Sequence, residues 1–209
     1  MVGWLMSYSS QLTRERILKY AKKEFMKVGF EKASMRRIAQ AAKVTTGALY
    51  NHFANKAVLF DALVEEPAEC MLAEFKGFHR QAAQEVSVNP KNALDVEGRK
   101  GADWMLRYIY DHKDAFRLIF CHSGGTRWAL YLEQLIEIEE KAYRGYFDTL
   151  SQGKGKIDDM FLHITAATGF QYLVEIVSHD LPYEQAQELM ESVKRYSVGG
   201  WNEILGLRS

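Results

Sequence analysis

The chain has 209 residues, 47% hydrophobic and 26% charged, with three prolines. That is the make-up of a mostly helical globular protein of one large or two modest domains. Lys+Arg and Asp+Glu balance at 27 each, which excludes a uniformly basic or acidic protein. The balance is uneven, however. Residues 1–60 hold eleven basic against three acidic side chains, and the remainder sixteen against twenty-four. A basic N-terminal quarter on an acidic body suggests a phosphate-facing head. No apolar run approaches the roughly 18 residues of a membrane span, and MVGWLMSYSS lacks the basic stretch of a signal peptide. Cys70 and Cys121 form no CxxC. A cytoplasmic protein with no membrane partner is expected.

In chain order, TRERILKYAKKEFMKVGF places Ile17, Leu18, Ala21, Phe25 and Val28 on one helical face. Thr13 is the expected N-cap and Gly29 the expected C-cap. Ser34 caps a short second helix with Met35, Ile38, Ala39 and Ala42 inward. Thr45 caps a third, through Ala48, Leu49 and Tyr50 to His52. Asn55 caps a fourth, KAVLFDALV. The helices at about 35–42 and 46–52 form a helix-turn-helix, whose second helix enters the major groove by its N-terminal residues. Val44 and Leu49 hold the pair together, and Gly47 lets a partner's backbone come close. Thr45 and Thr46 offer hydroxyls. Tyr50, His52 and Lys56 are phosphate donors, and Asn51 and Ala48 suit base edges, adenine and a thymine methyl respectively.

These residues resemble the DNA-binding domain of the TetR family of transcriptional regulators. The resemblance covers residues 13–63 and rests on Ile17, Ala21, Phe25, Gly29-Phe30, Ser34, Ile38-Ala39, Ala42, Val44, Leu59 and the run G-A-L-Y-x-H-F-x-x-K at 47–56. It implies a dimeric, ligand-responsive repressor, with Arg36, Thr45, Thr46, Gly47, Ala48, Tyr50, Asn51, His52 and Lys56 facing DNA. Thr46 stands where the family often has Lys or Pro, and Asn51 where it often has His or Tyr. Ala57 replaces a common acidic residue.

Residues 65–209 read as further helices. Pro67 marks the join of the fourth and fifth, and NPKNALDVEG at 89–98 is a loop. Helices follow at 99–110, from Asp111 through DAFRLIF, and at 127–150. The last of these carries Glu137–Lys141 and Glu140–Arg144 pairs. SQGKGK at 151–156 is a linker, and two apolar helices end the chain, the last with Pro182 in its first turn and running to about Leu207. Ile157, Phe161, Ile164, Val174, Val177, Val193, Tyr196, Trp201, Ile204 and Leu205 exceed what one inner face needs, which predicts a homodimer through these two helices. Gly199-Gly200 permits close approach. An apolar cavity with a few polar groups is expected, with Tyr108, His122, Trp128, Tyr131 and Phe170 as candidate ligand contacts. His112, Cys121 and His122 lie near one another without a metal-binding motif, and no HExxH or phosphate loop is present. Glu133, Glu137, Glu139 and Glu140 read as a solvated helix face. No cofactor, metal or catalytic residue is expected.

The sequence therefore predicts an all-α protein of about nine helices. Residues 1–63 form a three-helix helix-turn-helix DNA-binding domain, and residues 64–209 a helical ligand-binding and dimerisation domain. The expected partners are double-stranded operator DNA, a small partly apolar effector and a second copy of the chain. The competing readings are a helical protein–protein adaptor and a helical enzyme with a basic head. A convergent set of ionisable groups in the body's cavity would mark the enzyme.

Overall fold

The computed structural model describes residues 2–89, 98–151 and 156–204, with side chains from residue 9. Among these residues are nine α-helices and no strand. They are α1 (Val2–Lys32), α2 (Met35–Ala41), α3 (Thr46–His52), α4 (Lys56–Val86), α5 (Gly98–Asp111), α6 (Lys113–His122), α7 (Tyr131–Ser151), α8 (Asp159–Ser178) and α9 (Tyr183–Ile204). A 3-10 turn, Arg127–Leu130, precedes α7. The all-α expectation holds. The chain divides into two compact units, Met1–Ala68 with Asp114–Ala129, and Glu69–Lys113 with Leu130–Ser209.

The first unit is built on α1, which buries Ile17, Ala21 and Phe25 at a four-residue spacing. Ile38, Ala39 and Ala42, Leu49, and Leu59, Phe60 and Val64 are sealed from solvent as well. The rings of Phe25, Phe30 and Phe60 form a triangle with centroids 5.1–6.0 Å apart. Gly29 takes φ +74° and ψ 167° and breaks the helical path there, as a C-terminal glycine does. Thr13 is not an N-cap. The helix runs through it from Val2, and its hydroxyl donates to the Ser9 carbonyl one turn back. Mid-chain residues complete this unit. Lys22 pairs with Asp114. Gly125, at φ +82°, sits where a Cβ would meet Glu31 Cγ at 3.1 Å. Trp128 Nε1 donates to Asp61 at 2.7 Å, and Arg127 pairs with Asp61 and Glu65.

In the second unit α7 and α8 are tied by Arg144–Asp159 and Glu140–His163, both 2.6 Å. The pairs run in opposite chain sense, the register of antiparallel neighbours. Of the two predicted pairs along α7, Glu137–Lys141 forms at 3.9 Å. Glu140 and Arg144 instead reach across to α8. Asp158 caps α8, accepting from the Phe161 amide at 2.8 Å. The helix expected at 127–150 begins as the 3-10 turn and becomes α-helical at Tyr131.

Pro67 does not end a helix; it lies inside α4. An interior proline costs about 3 kcal/mol. Burial on both sides of it, at Phe60, Val64, Ala68 and Met71, outweighs that loss. The expected domain boundary at 63–64 also falls inside α4. The loop expected at 89–98 and the linker at 151–156 lie mostly outside the described residues, as do Leu205 and Leu207.

The stretch of α8 is long and apolar enough to cross a membrane by length and composition, though a third of it is buried in the unit. The run-length expectation missed this because Asp159 and Glu175 interrupt the apolar letters without lowering their average enough. Its outer side carries Met160, Phe161 and Ile164, and that of α9 carries Leu189, Tyr196 and Ile204, all exposed. Of the other residues assigned to a dimer face, Val177 and Trp201 are buried within the unit.

Candidate nucleic-acid interface and cavity

The helix-turn-helix is set by local chemistry. Ser34 Oγ accepts from the Arg37 amide at 3.4 Å, starting α2. Thr45 Oγ1 accepts from the Ala48 amide at 3.1 Å, starting α3. Asn55 Oδ1 accepts from the Val58 amide at 2.9 Å, starting α4. Each is a polar side chain satisfying a helix-end N–H. The turn between α2 and α3 passes through Lys43 at φ 53°, the left-handed region that disfavours residues with a Cβ. Arg37 bonds Glu24 at 2.7 Å and the Lys32 carbonyl at 2.7 Å, locking α2 to α1.

Leu49 and Phe53 point into the core, and Thr45, Thr46, Gly47, Tyr50 and Asn51 are exposed on the other side of α3. Ala48 and His52 are half-buried at its edges, and Arg36 is exposed on α2. A Cβ built on Gly47 would meet nothing nearer than Thr45 Oγ1 at 4.0 Å. Neither packing nor dihedral angle within this chain calls for glycine there. Lys56 differs from the rest. Its ammonium donates to the carbonyls of Glu31 at 3.0 Å and Ala33 at 3.2 Å and lies 4.5 Å from the Phe30 ring centroid. It caps the end of α1, where a cation is favoured.

The second unit holds a cavity of about 210 Å³, lined from α4, α5, α7, α8 and α9. Phe75, Phe170, Leu173, Met105, Met190 and Trp201 supply apolar wall. Its polar cluster comes from two helical faces, His79 on α4 and Glu139, Tyr143 and Tyr146 at turn spacing on α7. His79 Nε2 lies 2.7 Å from Glu139 Oε2, and Nδ1 lies 3.0 Å from the Tyr146 hydroxyl. An ionised carboxylate only accepts, so Nε2 carries the proton. The Tyr143 hydroxyl lies beside Glu139 and the Trp201 indole. Burial, then the Glu139 charge, holds both tyrosine hydroxyls above their ordinary range, so both are phenols at neutral pH. Arg99 and Lys194 also line the wall. Lys194 is paired with Asp103 and Glu191, and Arg99 lies 3.6 Å from Glu191.

Of the five candidate ligand contacts, Phe170 lines this cavity. Tyr108 stacks on Trp104 at 4.7 Å, and Tyr131 is fully buried, its hydroxyl pushed up by that burial. Trp128 and His122 belong to the first unit. Trp128 is held by Asp61, and burial and then Arg117 pull the His122 imidazole below its ordinary range. Glu139 is not on a solvated face; its side chain is 16% exposed. The turn-spaced set Glu139, Tyr143, Tyr146 was the signal available for it, masked by its neighbours Glu137, which is exposed, and Glu140, which is half-buried. Among the described residues no three His, Cys, Asp or Glu side chains are gathered to hold a metal.

Fold and site define an all-helical protein with an N-terminal helix-turn-helix. The family profile "Bacterial regulatory proteins, tetR family" matches residues 17–63. The HTH-type transcriptional regulator UidR of Escherichia coli (strain K12) is 38% identical over 71 residues, 34% of this chain and 36% of that protein. The match therefore spans about a third of that relative's length. Two solved structures are similar over nearly the whole chain. NalD, the secondary repressor of the MexAB-OprM multidrug efflux pump in Pseudomonas aeruginosa, has a TM-score of 0.52 and 20% identity, covering 90% of this chain and 96% of that one. The SmeT–triclosan complex has a TM-score of 0.54 and 17% identity, covering 89% and 91%. At those identities the likeness is one of fold. The helix-turn-helix of residues 17–63 is therefore of the TetR type.

Proposed function

We propose that the protein is a repressor that binds operator DNA as a homodimer and is released by a small, partly apolar effector. Residues 1–63 are the DNA-binding head and the remainder the effector-binding and dimerising body. The observation that carries this reading is the outer side of α3. Thr46, Gly47, Tyr50 and Asn51 stand exposed together, and the glycine among them answers no need inside the chain. In the major groove, Asn51 reads a base edge, Tyr50 and the threonines hold phosphates, and Gly47 admits the DNA backbone. Arg36 and His52 reach phosphates from the flanks. Lys56 acts through the fold, by fixing the end of α1 that supports α2.

The exposed apolar sides of α8 and α9 suit a second copy of the chain. Each helix has a buried side and an outer apolar one, and Gly199 and Gly200 present open backbone on α9. Two copies place two α3 helices on half-sites one or more turns apart. The cavity takes the effector, and a coupling of about 1–3 kcal/mol between effector and DNA is typical of such proteins. The cluster of His79, Glu139 and two tyrosines is the convergent set that would mark an enzyme. The relatives are regulators by name, and the cluster serves binding here. Such a protein works in the cytoplasm.

Selection from a randomised duplex library at moderate salt tests the reading. A two-fold-symmetric site should be enriched, and Asn51→Ala should relax one position per half-site by about 1–3 kcal/mol. Salt-sensitive binding without sequence enrichment would favour an adaptor whose basic head meets an acidic protein.

A further inference from the structure

We propose that the cavity selects small aromatic amines, taken as cations by Glu139; this rests on the reading of the cavity as the effector site. The walls fix the body of the ligand. Phe75 meets Phe170 edge-on at 5.6 Å, and Tyr143 meets Trp201 at 4.8 Å, so flat rings surround the space. A dry cavity of about 150 Å³ holds benzene. The 210 Å³ here therefore suits one aromatic ring with a short polar arm.

The polar cluster fixes the head. Glu139 receives the His79 N–H, and the Tyr143 hydroxyl lies beside it. A carboxylate has about four lone-pair sites and no proton to give, so sites remain, and a ligand group that meets them must donate. An anionic head would face the like charge of Glu139. Lys194 is matched by Asp103 and Glu191, and Glu191 also faces Arg99. A neutral O–H would fill a lone pair of the Glu139 carboxylate. A protonated amine does so with opposite charge at low dielectric, and the aromatic faces around it attract a cation as well.

The test uses the intact protein at pH 7 and four probes of similar size, phenethylamine, phenethyl alcohol, 3-phenylpropionate and toluene, titrated by ligand-observed NMR. Phenethylamine should bind at least tenfold tighter than the alcohol, and 3-phenylpropionate weakest. Glu139→Gln should abolish the advantage of the amine and leave toluene unchanged. Equal affinity for amine and alcohol, preference for the propionate, or an amine advantage that survives Glu139→Gln would each overturn the assignment while toluene binding keeps the cavity as a site. If toluene and all three polar probes fail to bind, the effector site itself lies elsewhere. Should Glu139→Gln not fold, judged by circular dichroism, the ranking on the unaltered protein decides.

Discussion

At Gly47 a single added atom would separate folding from the proposed DNA contact. A glycine in a helix costs up to about 1 kcal/mol relative to alanine, and here a Cβ would have open space on the protein side. Gly47→Ala should therefore raise stability, by a few tenths to 1 kcal/mol in urea unfolding, while weakening operator binding at least tenfold. Stabilisation without any loss of DNA affinity would remove Gly47 from the interface. Lys43 poses the opposite case. Its φ of 53° is strained for any residue with a Cβ and most for a β-branched one. Lys43→Val should cost about 1–2 kcal/mol in the same measurement. The caps Ser34, Thr45 and Asn55 were legible in the sequence because each acts on an amide three residues away. The place of Lys56 was not, because its partners lie 25 and 23 residues earlier. A lysine beside a short exposed helix reads as a phosphate donor, and spacing says nothing of the carbonyls it also serves.

Among the elements, α2 and α3 followed from spacing and caps, whereas α4 and the 3-10 turn were decided by packing. Pro67 carries a local stop signal, and the buried residues on either side of it override that signal. The segment around the 3-10 turn is pinned by Asp61, which accepts from Trp128 at 2.7 Å and faces Arg127. Trp128 is 5% exposed, so this bond is shielded from water. Asp61→Ala should cost about 1–3 kcal/mol. Glu65→Ala, which removes an exposed ion pair to the same arginine, should cost under about 1 kcal/mol. Equal losses would mean that the tryptophan bond adds nothing beyond surface charge. The cavity cluster escaped the sequence reading for the same reason as Lys56. His79 and Glu139 are 60 residues apart, and periodicity reports which side of a helix is polar without saying what that side meets.

For the whole molecule, the two terminal helices were legible as more apolar than one core needs. Which of their residues stay outward was not. Ile164 and Tyr196 do, at 56% and 76% exposure, whereas Trp201 turns inward and lines the cavity. If α8 and α9 form the proposed dimer face, Ile164→Glu with Tyr196→Glu should leave a monomer in sedimentation velocity. Binding to a two-fold site should fall by far more than tenfold while the helical circular dichroism is retained. A dimer that survives both charges would assign the interface to another surface.

The first unit is written in the gene in two instalments, since residues 114–129 complete what residues 1–68 begin. During synthesis the earlier part leaves the ribosome without the tryptophan that Asp61 holds or the glycine turn that fits against Glu31. At about 5–20 residues per second, the 61 residues from Glu69 through Ala129 take roughly 3–12 s. For those seconds the nascent chain carries a recognition helix whose supporting unit is unfinished. On the proposed reading, the DNA-binding head would be complete only once residue 129 has been made.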